Sequence, residues 1–426
     1  MDVKRPEAPD GIRRLIERGD RHQETMIFGS LDAQLPVDHR ARVVDDAVQS
    51  MDLSEFYTEV RSTEGRGGRP AHDPAVLLSL WLLATLDGYG SARELSRLVD
   101  EHIAYRWIAH GRSICAHTLS SFRVDHAKQV DGLLTHLVAA LVSEGLVTME
   151  RVAQDGMKVR SSAGAASFHR QPTLAAALVA AEEQVAALAR EADARPDQIS
   201  ARRRAAQERA ARERRDRLEQ ALVLAMELEA QRDADAGPAR VSSTDPEARV
   251  MKHGDGGFRP SVNVQLATDA DSHVIVGVSV TNAGSDLGQA APMHAQVVER
   301  TGVMPKDYLI DGGFAKLDDI DRLDDAGTRV IAPVCRPRDA KRDPHLPRPS
   351  DSPAVAAWRI RMGDAAIKAL YHLRAATAEC VNALFRNRGM RALNVRGLDR
   401  SYACVLWQVL AHNLMRAAIL RAPATA

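Results

Sequence analysis

The spacing of apolar side chains changes repeatedly along the chain, and each change marks a different kind of element. From about Val37 the stretch VDHRARVVDDAVQSMDLSEFY repeats Val43, Val44, Val48 and Met51 at helical intervals. Ala75 to Leu86 is the longest apolar stretch; bounded by Pro74 and Gly88, it predicts a buried helix. Ser91 and Glu94 form an S-x-x-E capping box that opens the next helix. Thr118 to Val147 predicts one long helix with Leu119, Phe122, Val130, Leu133, Leu134, Leu137 and Leu141 as its buried stripe. At Arg151 the period drops to two: Ala153, Asp155, Met157 and Val159 alternate as in a strand, with a carboxylate in an otherwise apolar face.

Helical character returns from Leu174 to Gln231, where Pro196 splits the stretch into the two arms of a hairpin. After Gly237-Pro238, residues 261–268 and 273–281 alternate again and predict two paired strands. A helix over 286–300, a short strand over 308–310, a helix over 317–325 and a strand over 329–334 follow. From Val355 to Leu420 the pattern is helical, with a break near Gly389 to Gly397. Strands alternating with helices predict an α/β unit. The chain thus divides into a flexible basic arm (1–35), an all-α N-terminal domain (36–149), an α/β domain in two pieces (150–173 and 237–422) and a helical insertion (174–236).

With 426 residues, two or three folding units are the expectation. Lys+Arg and Asp+Glu both total 57, so a polyanionic partner has to be met by local basic patches and not by net charge. Hydrophobic residues at 45% and charged residues at 27% exclude disorder, collagen and membrane-span classes for the whole. Cys115, Cys335, Cys380 and Cys404 are too scattered for a zinc site or a disulfide framework, and they read as small core residues. The first residues carry no apolar signal-peptide core, so the expectation is a cytoplasmic protein, nucleoid-associated when bound to DNA.

Three carboxylates on separate elements stand out. Asp155 interrupts an apolar strand face; Asp311 ends the strand Tyr308-Leu309-Ile310 before Gly312-Gly313, at the end of a strand where α/β ligands collect. Glu379 falls off the apolar stripe of a late helix, with Asn382 and Arg386 on its face. Asp311 alone reads as an ordinary strand-to-helix turn and Glu379 alone as a solvated residue, whereas a bland core strand would avoid a carboxylate at Asp155. Together they offer the oxygen donors that Mg²⁺ prefers.

Several strings, in order, carry a resemblance: VDHRARVVDDAV, GRPAHDPAVLLSLW, GYGSARELSRL, HTLSSFR, VAQDGMKVRSSAG, SSTDPEARVMK, VNVQLATD, YLIDGGFAK and VRGLDRSYACVLWQVLAHNLMR. From about residue 36 to residue 416 the chain resembles the DDE transposases of bacterial insertion sequences, of the broad IS-four and IS-five kind. The resemblance implies an α/β ribonuclease H-like catalytic domain, a mixed sheet flanked by helices, beside the all-α domain and the helical-hairpin insertion. It implies that Asp155 and Asp311 are the catalytic aspartates and Glu379 the third acid, together holding two Mg²⁺ ions, with Mn²⁺ able to substitute. Tyr371, Arg374, Glu379 and Arg386 resemble the family's Tyr-Arg-Glu-Lys series, with the Arg-to-Glu gap one residue longer than usual and Arg in place of Lys.

The partner implied is double-stranded DNA, both element ends and target, bound by a homodimer or larger assembly, with no membrane and no small-molecule cofactor. Candidate phosphate contacts are Arg66, Arg69, Arg93, Arg97, Arg123, Arg386, Arg388, Arg391, Arg396 and Arg400, joined through the resemblance by Tyr371 and Arg374. The arginine-rich stretch ARRRAAQERAARERRDR reads equally as a solvated arm or a phosphate-tracking surface. Two other functions stay open: a repurposed copy that binds terminal repeats without cutting, and a metal-dependent nuclease that cuts without joining.

Overall fold

Among the described residues, seven α-helices precede the first strand, and several of their starts follow from local capping chemistry. The computed structural model describes residues 29–60, 70–194, 201–231, 237–335 and 342–422. α1 (Arg40–Gln49) begins where His39 Nδ1 accepts the Ala41 amide, and α2 (Ser54–Thr58) follows. α3 (Pro74–Leu86) starts on Asp73, whose carboxylate accepts the Ala75 amide, with Pro74 in the first turn where its missing N–H costs nothing. α3 is buried all round, as a helix apolar on every side must be. α4 (Ala92–Glu101) is capped by Ser91, as the S-x-x-E pattern predicts, and α5 (Ile103–Ile108) follows. The single helix expected over 118–147 is two, α6 (Ala116–Asp125) and α7 (Ala127–Ser143). His126 leaves helical geometry between them and turns its Nδ1 to the Phe122 carbonyl.

β1 (Arg151–Arg160) starts the sheet, and β2 (Phe168–His169) leads into α8 (Gln171–Ala194) and α9 (Ala201–Ala230). These two helices pack through a small core of their own, including Leu174, Ala181, Leu218, Ala221 and Ala225. β3 (Val241–Ser242), which pairs with β2, precedes β4 (Arg249–Lys252), β5 (Phe258–Asp269) and β6 (Ile275–Thr281). Then come α10 (Ala290–Thr301), β7 (Asp307–Leu309), α11 (Leu317–Asp325), β8 (Arg329–Ile331), α12 (Pro353–Gly363) and α13 (Ala365–Tyr371). A π-turn (Ala375–Glu379), α14 (Cys380–Asn387) and α15 (Leu398–Arg421) end the described chain.

The expected mixed sheet flanked by helices is present, in the order β4-β5-β1-β7-β8, with β6 also on β5. β1 runs antiparallel to β5 and parallel to β7; β7 runs parallel to β8. α10 covers one face, where Gly277 lies against Met293 and Val297, and a Cβ there would come within 2.6 Å of the Met293 sulfur. The π-turn crosses β1 and β5. Because side chains alternate along a strand, Asp155, paired with Leu266, lies on the face opposite Ala267 and Gly277.

One core runs continuously from Leu35 to Ala417 and unites the N-terminal helices with the sheet. α15 joins the two, packing on α3, α6 and α7 as well as on β6. Trp407 donates its indole N–H to the Arg123 carbonyl at 3.0 Å and lies 6.4 Å from the Trp81 ring; Trp81 in turn donates to Leu119 at 2.9 Å. Asn413 accepts the Ile275 amide at 2.9 Å and donates back to its carbonyl at 2.8 Å, satisfying the backbone of β6 as a neighbouring strand would. A second joint is made by two glycines at positive φ: a Cβ on Gly389, after α14, would meet the Gly88 carbonyl, after α3, at 2.9 Å. By length and composition α15 could cross a membrane; here it is a core helix, two-thirds buried across its most apolar stretch. The cysteines depart from the core expectation: Cys115, Cys335 and Cys380 are exposed and Cys404 is half-buried.

Two predictions concern α15. Trp407→Ala removes a fully buried indole and its hydrogen bond, so chemical denaturation should show a loss of about 3–5 kcal/mol; a loss below about 1 kcal/mol would refute α15 as the central joint. Burial of His412, whose ring nitrogen meets the His273 carbonyl at 2.8 Å, pulls its pKa down to about 4. Its folded value lies below the unfolded one, so its contribution is intact above about pH 6.5 and is lost as pH falls toward 4, at up to about 1.4 kcal/mol per pH unit. His412→Gln should flatten the stability profile across that window.

Candidate active site

The sheet itself brings the two aspartates together. Ala153 of β1 pairs with Leu309 at the end of parallel β7; Asp155 stands two residues further along β1, and Asp311 two residues past the end of β7. Past β7 the chain turns sharply: the Gly313 amide donates to Asp311 Oδ1 at 2.7 Å, holding that carboxylate at the strand end. The third acid arrives from the helical segment across the sheet, since Glu379 closes the π-turn.

All three meet one side chain. Arg374, buried at 8% exposure, donates from Nη2 to Asp155 Oδ1 at 2.8 Å. The same nitrogen lies 3.6 Å from Asp311 Oδ2, and Nη1 lies 3.7 Å from Glu379 Oε1. The first is a hydrogen bond; the other two are looser ion pairs. Asn382 donates to the second Asp155 oxygen at 2.8 Å, so both oxygens of that carboxylate are held. Exposure rises from Asp155 (16% of its side chain) through Asp311 (40%) to Glu379 (63%), so the cluster opens to solvent on the Glu379 side. Burial pushes the Asp155 carboxyl above its ordinary pKa; Arg374 opposes that shift, while Asp311 and Asp286 reinforce it.

The π-turn explains how residues 374 and 379 share a face. On a regular α-helix five residues rotate by about 500°, leaving the two side chains about 140° apart. A turn closed by i→i+5 hydrogen bonds takes up the additional residue. The longer Arg-to-Glu spacing in the sequence is therefore absorbed by the backbone.

Asp286 was missed by sequence reasoning, which placed it at the start of a helix. That helix begins at Ala290, and Asp286 sits on the preceding loop. Its Oδ1 accepts from Asn263 at 2.7 Å and from Gln265 at 2.6 Å. Gln265 accepts from Gln154 at 2.9 Å, and Gln154 accepts from Tyr308 at 2.9 Å, so a polar chain crosses the sheet behind Asp155. Gly156 makes room for it: a Cβ there would lie 2.6 Å from Gln265 Nε2 and closer still to Asp286.

The arginines separate into distinct groups. Arg66 and Arg69 lie outside the described residues. Arg93 and Arg97 are exposed on α4, Arg97 beside Glu101 at 3.7 Å. Arg123 faces inward, a correction to its reading as a phosphate contact: it is 9% exposed, lies 4.3 Å over the Trp81 ring and donates to the Gly90 carbonyl at 2.7 Å. Its long stem and planar head pack well in that aromatic joint. Arg386, Arg391, Arg396 and Arg400 are exposed, whereas Arg388 and Tyr371 are half-buried. The loop carrying Arg391 is tied to the end of β1, where the Leu393 amide donates to the Arg160 carbonyl at 2.8 Å. Arg217 of α9 has its proton affinity lowered by burial and by the nearby Arg396 and Arg400, so α9 lies beside those basic residues.

Among the described residues, no three Asp, Glu, His or Cys side chains stand close enough together to hold a metal ion as they are arranged. The space between the carboxylates is taken by the Arg374 guanidinium. The donor set is nevertheless one of anionic oxygens turned toward a single cation, and such oxygens suit a hard divalent ion.

Two family profiles match the chain. One, described as Transposase domain (DUF772), covers residues 29–125; the other, Transposase DDE domain, covers residues 228–414. Together they span about two-thirds of the sequence and include Asp311 and Glu379, while Asp155 precedes the second match, from which α8 and most of α9 separate it. No curated protein and no solved structure matches the chain. A transposase DDE domain implies a ribonuclease H-like fold, in keeping with the mixed sheet flanked by helices, and polynucleotidyl transfer on DNA. On these matches, the chain belongs to the DDE transposases of insertion sequences.

Proposed function

We propose that this transposase cuts the ends of its insertion sequence and joins the freed 3′-hydroxyls to target DNA, with Asp155, Asp311 and Glu379 as the acids of the reaction centre. One observation carries the reading: carboxylates from β1, from the end of β7 and from the π-turn converge on a single cationic group. They are the ligands of a pair of divalent ions, Mg²⁺ by donor hardness, and such ions when bound activate an attacking oxygen and stabilise a leaving one. Asn382 fixes the orientation of the Asp155 carboxylate. The polar chain ending at Asp286 holds β1 and β5 in register behind the site.

Exposed Arg386, Arg391 and Arg396 neutralise DNA phosphates beside the site, and the N-terminal helices, with Arg93 and Arg97 on α4, contribute to recognition of element ends. Pairing two ends calls for a homodimer or larger assembly.

Asp155→Asn and Glu379→Gln should each reduce cleavage of an end-containing duplex by roughly a thousand-fold or more, with end binding retained in a mobility-shift titration. Binding without any cleavage by the wild type, under Mg²⁺ or Mn²⁺, would leave only the reading as a DNA-binding protein. Cleavage without joining, given pre-cut ends and a target plasmid, would leave a nuclease. Replacing Arg386, Arg391 and Arg396 by Ala together should lower the salt slope of DNA binding by about 3, roughly one per lost phosphate contact; an unchanged slope excludes that surface.

A further inference from the structure

Three carboxylates packed against one another repel unless positive charge stands between them. In this protein that charge is built in. Arg374 is the only cationic side chain recorded in an ion pair with Asp155, Asp311 or Glu379 among the described residues, and it reaches all three. It is held in a particular way. Of its contacts with the three acids, only that to Asp155 is a short hydrogen bond, while those to Asp311 and Glu379 exceed hydrogen-bond length; Tyr371 is a further hydrogen-bond neighbour. Its Nε is buried and has no hydrogen-bond partner. A guanidinium offers five N–H donors, so this one is placed by charge more than by a full set of bonds.

We propose that Arg374 is a positioning residue that occupies the cation site of the DNA-free protein, holding the three carboxylates assembled until divalent ions replace it. The inference rests on the reading of Asp155, Asp311 and Glu379 as metal ligands. The guanidinium and a divalent ion compete for the same oxygens, because Nη2 lies between Asp155 and Asp311, where a shared ion would also sit. Replacement therefore needs the side chain to swing away from the carboxylates, and a DNA phosphate arriving at the open Glu379 side is a partner for which a guanidinium is well shaped. Metal loading then follows DNA binding, and the protein without DNA stays folded and weakly loaded.

The test is direct metal binding by the full-length protein without DNA, measured by calorimetry with Mn²⁺. The wild type should bind weakly and Arg374→Ala roughly ten-fold or more tightly than it, about 1.4 kcal/mol per ten-fold. Arg374→Lys, which keeps the charge but loses the planar fork, should fall between them. Asp155→Asn added to Arg374→Ala should abolish the gain. Thermal melting supplies an independent readout: without metal, Arg374→Ala should melt below the wild type, and saturating Mn²⁺ should raise its melting temperature more than that of the wild type. If Arg374→Ala and the wild type bind Mn²⁺ equally, or the variant binds more weakly, the proposal is overturned and the ligand reading survives. If no variant binds Mn²⁺ with or without end DNA, the ligand reading fails and this proposal fails with it.

Discussion

Gathering three acids in one place is electrostatically unfavourable, and the architecture around Asp155 reflects that constraint. The strand face that carries it is otherwise apolar, with Ala153, Met157 and Val159 buried, so Asp155 loses much of its hydration. Compensation comes from Arg374 on one oxygen and Asn382 on the other, both on the helical segment that crosses the sheet. Removing either partner would leave a buried carboxylate uncompensated, which costs more than the pair contributes. The segment from Arg374 to Asn382 is thus fixed to β1 by the charge it neutralises as well as by apolar packing. The π-turn is the backbone form that lets Arg374, Glu379 and Asn382 serve the same cluster.

How much of this was legible depended on the range of the interaction. Alternation placed Asp155 in a strand, because the strand period is written in neighbouring residues. Gly312-Gly313 marked the strand end at Asp311 for the same reason. The off-stripe position of Glu379 was visible too, but helical periodicity assumes an unbroken α-helix and so hid the π-turn that brings Arg374 round. Asp286 was illegible: its partners Asn263 and Gln265 lie more than twenty residues away, and nothing local distinguishes a loop carboxylate from the first turn of a helix. Arg123 misled because exposure of a long basic side chain is decided by what packs over it, here Trp81, over forty residues away. His126 broke a helix whose apolar stripe ran on without interruption, since the stripe records which face is buried and not whether the backbone turns.

α8 and most of α9 lie in the gap between the two family matches. Asp155 lies outside both, and α8 with most of α9 stands between β1 and the start of the DDE match. Those helices keep a core of their own, separate from the main one. An element with its own core can be inserted after a strand without disturbing the register on either side, because loop closure costs little once the ends are fixed. β1 still pairs with β5 across nine positions, from Val152 to Arg160. α8 and α9 therefore lengthen the chain between β1 and its neighbours while leaving their register intact.

The N-terminal helices are a different case. They share the main core with the sheet, and α15 belongs to both, with Trp407 bonded into α6 and Asn413 bonded into β6 on the same helix. A shift of α3 or α6 has to move Trp81, Arg123 and Trp407 together, since their rings and hydrogen bonds interlock. Closely packed interiors transmit such displacements instead of absorbing them. The Gly88–Gly389 contact adds a second link, from the end of α3 to the end of α14, only ten residues beyond Glu379. One joint thus connects the helical half to β6, and the other connects it to the end of the segment that supplies Arg374 and Glu379. The N-terminal helices are therefore joined to the carboxylate centre through one packed core and not by a tether, so a displacement in either half is felt in the other.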